Sequence, residues 1–195
     1  MLDEERFSKL VSLACHDLRT PLATVYGFAR TISRTEGLEP TLVSYSEMIE
    51  SASQQLAELL DELSLAARIA GGRYDPIVEP VSTAALAAAA AERLGDDRVG
   101  VSGAGADVTV DVEPMKRSVS SLVQCALRHG GLERVDVLAD GTELRVSPIT
   151  PASAPVVLGE DLRDLGAAVA VMHVENRGGT VSVDDDTLTI RLPTS

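Results

Sequence analysis

Along the first third of the chain, apolar residues recur at alternating spacings of three and four. Phe7, Val11, Ala14, Leu18, Val25, Phe28 and Ile32 form one series, with Pro21 filling the place between Leu18 and Val25. That alternation marks a heptad seam and predicts a long amphipathic helix. The pattern returns as Leu42, Tyr45, Ile49, Ala52, Leu56, Leu59, Leu63, Ala66 and Ala70. Pro40 suits the first turn of this second helix, and Gly71-Gly72 closes it. Only residues 35–39 connect the two, so they are expected to be antiparallel neighbours. Beside the seam each helix carries a second stripe: Leu10, Leu22 and Ala29 in the first, Met48, Leu60 and Ala67 in the second. A lone hairpin cannot cover two stripes per helix. A second copy, completing a four-helix bundle, would cover them, so the pattern predicts a homodimer.

Beyond Gly72 the period changes. Residues 77–81 read as a short strand, and Ser82 as the cap of a helix that stops at Gly95. Residues 99–101 and 108–112 alternate as strands joined by a glycine-containing turn. A helix over 115–129, entered at Pro114, closes at Gly130-Gly131. Residues 135–139 and 143–146 form a hairpin across Asp140-Gly141. A Pro-, Ala- and Ser-rich loop over 147–155 precedes a helix over 160–175, and a hairpin of 180–183 with 187–192 ends the chain. The order β-α-β-β-α-β-β-α-β-β predicts one mixed sheet covered by three helices. The fold class is therefore α+β: a helical hairpin over 1–72, then an α/β sandwich over 73–195.

Composition narrows the chemistry. The 195 residues are 45% hydrophobic, enough for a core, which excludes a disordered chain. Seventeen Lys and Arg against 30 Asp and Glu leave a net charge of −13, which argues against a nucleic-acid partner. The longest apolar run, residues 84–91, is far too short to span a membrane, and no charged-then-apolar leader opens the sequence. Two cysteines, Cys15 and Cys125, cannot make a disulfide framework, so a reducing cytoplasm is expected. Aromatic residues, at 3%, offer few stacking platforms for bases.

Against the heptad register, with Val11 and Leu18 at position a, His16 falls at f, facing away from the seam. Asp17 is its neighbour, Thr20 lies one turn on, and Arg19 stands between them. Pro21 removes the backbone donor to the carbonyl of Asp17 and is expected to kink the helix. An exposed imidazole among a carboxylate, a hydroxyl and a guanidinium is a candidate reactive surface. Cys15 is expected to be a small packing residue.

Residues 16–22, His-Asp-Leu-Arg-Thr-Pro-Leu, resemble the phosphoacceptor box of two-component sensor histidine kinases, which lies on the first helix of a dimeric hairpin. The resemblance implies that His16 is the nucleophile that takes and gives a phosphoryl group. It implies that Asp17 orients the imidazole and that Thr20 positions water for dephosphorylating a partner. Arg19 is a candidate contact for phosphoryl oxygens. A neutral imidazole attacks phosphorus well, and the N–P bond it forms is labile enough to pass the group on.

The second half resembles the ATP-binding domain of the same kinases in the order of its elements, but its nucleotide motifs are absent. Ser121 and Cys125 stand where that family carries asparagines for magnesium and phosphate, and a thiol is a poor magnesium ligand. The Asp-x-Gly-x-Gly motif is replaced by Ser147-Pro148-Ile149-Thr150-Pro151, and the later glycine-rich turn survives only as Gly166. Asp161 and Asp164 near that helix start disfavour phosphate further. The lid over 147–159 is short. The expectation is that ATP binding is lost, with no cofactor and no metal. No Cys/His spacing suggests zinc; His129 is read as a helix-end residue and His173 as partly packed. An intact box beside a degraded nucleotide site resembles dimeric histidine phosphotransferases, which exchange phosphoryl groups with aspartates of response-regulator receiver domains. The alternatives are a working kinase core with an atypical ATP and magnesium site, or a non-catalytic scaffold acting as a phosphatase through Thr20.

Overall fold

The computed structural model describes residues 4–193, with side chains from residue 7 onward. It divides into two units, Met1–Arg73 and Tyr74–Ser195.

The first unit is a hairpin of α1 (Glu4–Ser33) and α2 (Pro40–Ala70). Pro21 lies inside α1, and the helix runs on through it. The described residues buried in the hairpin are mostly small, Ser8, Cys15 and Ala29 on α1 and Ser46, Ser53 and Ala67 on α2, with the bulkier Leu65 beside them on α2. The small residues of each helix fall on a single seven-residue register, one place after the d position of the seam. The seam itself is open: Phe7, Leu18, Val25, Phe28 and Ile32, with Leu42, Tyr45, Ile49, Leu56, Leu59 and Leu63, are all exposed in the single chain. Of the second stripe expected from the sequence, Ala29 and Ala67 are buried in the hairpin, whereas Leu10 and Met48 are exposed. At the open end, Ser8 Oγ donates to the Ala67 carbonyl at 2.6 Å, and Arg73 donates to Ser8 Oγ at 2.7 Å.

The second unit runs β1 (Glu79–Ser82), α3 (Thr83–Leu94), β2 (Val99–Ser102), β3 (Asp107–Val110), α4 (Val112–Gly130), β4 (Val135–Asp140), β5 (Glu143–Ser147), α5 (Ala154–Val157), α6 (Leu165–Asn176), β6 (Thr180–Asp184) and β7 (Thr187–Arg191). As expected, Ser82 caps α3, its side chain accepting from the Ala85 N–H at 3.1 Å, and β4 and β5 pair antiparallel across the turn at Gly141. The expected single sheet is two. A five-stranded sheet has the order β2-β4-β5-β7-β6, with β2 parallel to β4, while β1 and β3 form a separate antiparallel pair. Strands β2 and β3 thus diverge after their turn instead of pairing with one another. Gly105 in that turn has φ +63°, and a Cβ there would collide with Thr83 Oγ1, so only glycine fits. Thr83 is wholly buried and donates to the Gly141 carbonyl at 2.7 Å, tying the start of α3 to the β4–β5 turn.

Strand β4 alternates buried and exposed, with Val135, Val137 and Ala139 inward. These pack with Leu144, Leu188 and Ile190 of neighbouring strands, and with Leu86, Met115 and Leu122 of α3 and α4, in one continuous core. Helix α6 begins later than expected, at Leu165 in place of residue 160, because the Asp164 carboxylate caps it by accepting from the Ala167 N–H at 3.0 Å. The expected loop over 147–155 contains the start of α5, whose Val156 and Val157 are fully buried in the core.

Candidate functional site

The reactive candidate lies on α1. His16 and Asp17 are strongly exposed, with side-chain accessibilities of 78% and 68%, and His16 Nδ1 is 3.2 Å from Asp17 Oδ1. An ionised carboxylate only accepts, so this contact places the imidazole proton on Nδ1 and leaves Nε2 with its lone pair open to solvent. The f register predicted this outward placement. Thr20 is exposed one turn further along the same helix. Cys15, immediately before the histidine, is buried against α2, the packing role expected of it. Arg19 turns toward α2: its Nη2 donates to Asp61 Oδ1 at 2.7 Å, both side chains being a little under half exposed. The four residues of the box thus divide. His16, Asp17 and Thr20 face outward, and Arg19 is engaged in an interhelical ion pair that the box itself does not reveal.

The second unit shows what occupies the positions that the resemblance assigns to nucleotide binding. Ser121 is half-buried and Cys125 wholly buried on α4. Burial pushes the Cys125 thiol up to about 12, and the Asp164 charge adds to the shift. At the start of α6, where free N–H groups could cradle a phosphate, Asp164 Oδ1 already accepts from Ala167 and Oδ2 lies 3.1 Å from His129 Nε2. His129 is in the last turn of α4, as read from the sequence, but it also has this carboxylate partner from a different helix. Cys125, His129 and Asp164 thereby converge, a grouping that the sequence does not announce because Asp164 is 35 positions from His129.

His173 differs from expectation. It is fully buried, with Nδ1 2.9 Å from Ser118 Oγ and Nε2 3.0 Å from Tyr74 Oη, while Tyr74 donates to Asp111 at 2.9 Å. Polar partners at both nitrogens allow an imidazole to sit in the interior without being merely partly packed. The Tyr74 ring meets it edge-on, with centroids 5.4 Å apart.

Residues 8–72 match the His Kinase A (phospho-acceptor) domain family. The matched segment is the helical hairpin, and the α/β unit follows it in the chain. It is 32% identical over 111 residues to the sensor histidine kinase TrcS of Mycobacterium tuberculosis, a match spanning 50% of this chain and 22% of that one. Among solved structures, full-length ShkA in complex with AMPPNP aligns over 96% of this chain and 47% of its own, with TM-score 0.65 and 18% identity. The Acinetobacter baumannii histidine kinase AdeS aligns over 92% of this chain and 98% of its own, with TM-score 0.55 and 15% identity. These two likenesses are of fold. No helix among the described residues is long and apolar enough to cross a membrane.

Proposed function

We propose that this chain is a homodimeric phosphoryl carrier in the cytoplasm, in which His16 exchanges a phosphoryl group with aspartates of response-regulator receiver domains. The observation that carries the reading is the His16–Asp17 pair on an exposed helix face, with Nε2 free. In the transfer, the Nε2 lone pair attacks the phosphorus of a receiver aspartyl phosphate. The N–P bond forms as the acyl-phosphate P–O bond breaks, and the aspartate leaves as a carboxylate. Asp17 accepts the Nδ1 hydrogen bond throughout and stabilises the positive charge that develops on the ring. Reversal onto a second receiver returns the imidazole. In this reading Thr20, one turn away, directs water at a docked receiver's phosphate.

The reading includes loss of the chain's own ATP chemistry. The start of α6 carries a carboxylate that already accepts from the Ala167 N–H, and an anion there disfavours another anion. A buried thiol at Cys125 is unsuited to magnesium. The test incubates the chain with labelled ATP and, separately, with a labelled phosphorylated receiver domain. Label on His16 from the receiver and none from ATP is expected. Label from ATP would identify a working kinase instead, and label from neither of a panel of receivers would identify a scaffold.

A further inference from the structure

Cys125 and His129 are four residues apart on α4, so both side chains leave the same face of the helix. Packing of α6 against α4 brings Asp164 to them. One donor atom from each of the three residues lies within 4.8 Å of the others, and His129 Nε2 is 3.1 Å from Asp164 Oδ2. Cys125 is wholly buried, while His129 and Asp164 keep side-chain exposures of 17% and 14%, which leaves a path from solvent.

We propose that Cys125 Sγ, His129 Nε2 and Asp164 Oδ2 form a binding site for a divalent transition-metal ion of the zinc class. The donor chemistry selects the ion. One thiolate, one imidazole and one carboxylate make a borderline-soft set, which suits Zn²⁺ and Co²⁺ and not the oxygen-seeking Mg²⁺ or Ca²⁺. Around tetrahedral Zn²⁺, with bonds of about 2.0–2.3 Å, ligand atoms stand roughly 3.3–3.8 Å apart. The three donor atoms, all within 4.8 Å of one another, stand close to that spacing. Asp164 is already oriented for the task, since its Oδ1 is held by the Ala167 N–H at 3.0 Å and its Oδ2 points at His129. Three protein ligands leave the fourth position to water on the open side. On loading, the Cys125 thiol releases its proton to solvent, and the imidazole binds as its neutral tautomer with the proton on Nδ1. The ion fastens the last turn of α4 to the start of α6. It is independent of phosphoryl transfer at His16, which lies in the other unit.

The experiment titrates Zn²⁺ into the metal-stripped full chain against a chromophoric chelator and records the absorption spectrum with Co²⁺. One saturable equivalent per chain is expected, with a thiolate-to-cobalt charge-transfer band and a melting temperature that rises with free Zn²⁺. His129→Gln and Cys125→Ser should each weaken binding at least about 10-fold. His129→Gln, at a partly exposed position, keeps the test valid if Cys125→Ser fails to fold. The proposal is overturned by the absence of saturable binding, by His129→Gln retaining wild-type affinity, or by affinity that falls in His16→Gln and not in His129→Gln.

Discussion

At His16 the proposed chemistry turns on where one proton sits. The contact with Asp17 keeps it on Nδ1 and so keeps Nε2 nucleophilic. An Asn at position 17 can present its amide N–H to Nδ1 and favour the opposite tautomer. Asp17→Asn is expected to slow receiver-to-His16 transfer by about 10²-fold or more without altering the circular dichroism spectrum. His16→Gln should abolish transfer while leaving stability within about 0.5 kcal/mol of wild type in urea unfolding, because the side chain is solvated. The exposure of His16 was legible in the sequence from its heptad position alone, since that depends only on local periodicity. The engagement of Arg19 was not, because Asp61 is 42 positions away and meets it only through the register of α1 against α2. The polar surroundings of His173 were hidden for the same reason: Tyr74 and Ser118 reach it from 99 and 55 positions away.

At the scale of elements, interhelical and interstrand pairs can be weighed. The half-exposed Arg19–Asp61 bridge should show a coupling of only about 0.2–1 kcal/mol in a double-mutant cycle with Arg19→Ala and Asp61→Ala. Between β5 and β7, the Glu143 carboxyl is held below its ordinary range, first by its hydrogen bond from Arg145 and then by that from Arg191. A folded pKa below the unfolded one stabilises the fold above the unfolded value, near 4.3, and that stabilisation is lost as pH falls through the lowered one. Glu143→Gln should therefore flatten the acid limb of the stability curve below about pH 4.3, as followed by urea unfolding at a series of pH values. In the core, Leu122→Ala, at a fully buried site on α4, should cost about 2–5 kcal/mol by the same assay. Helix and hairpin positions were largely legible in the sequence, because capping residues such as Ser82 and turns such as Asp140-Gly141 act locally. Strand partners were not. The divergence of β2 and β3 into separate sheets depends on β4 and β1 as partners, which no local pattern names. The start of α6 at Leu165 follows a single capping carboxylate, Asp164, and the mostly charged residues 160–164 stay outside the helix.

For the whole molecule, the open seam of the hairpin is the feature with the largest consequence. A row of exposed Phe, Leu, Ile and Val along both helices exceeds what a monomer in water ordinarily leaves uncovered. If a second copy covers it, a charge at its centre breaks the assembly: Leu56→Asp should halve the mass measured by light scattering, whereas the wild type should run at twice the chain mass. The net charge of −13 is consistent with a partner that is a protein surface and not a polyanion. The central claim, that His16 carries a phosphoryl group drawn from a receiver, is tested most directly by mixing the chain with a receiver domain labelled on its aspartyl phosphate. The phosphorylated peptide is then mapped under alkaline conditions, where phosphohistidine survives. Label is expected on the peptide containing His16, absent in His16→Gln and not formed when labelled ATP is the donor. Label that persists in His16→Gln, or that comes from ATP with no receiver present, would contradict that claim.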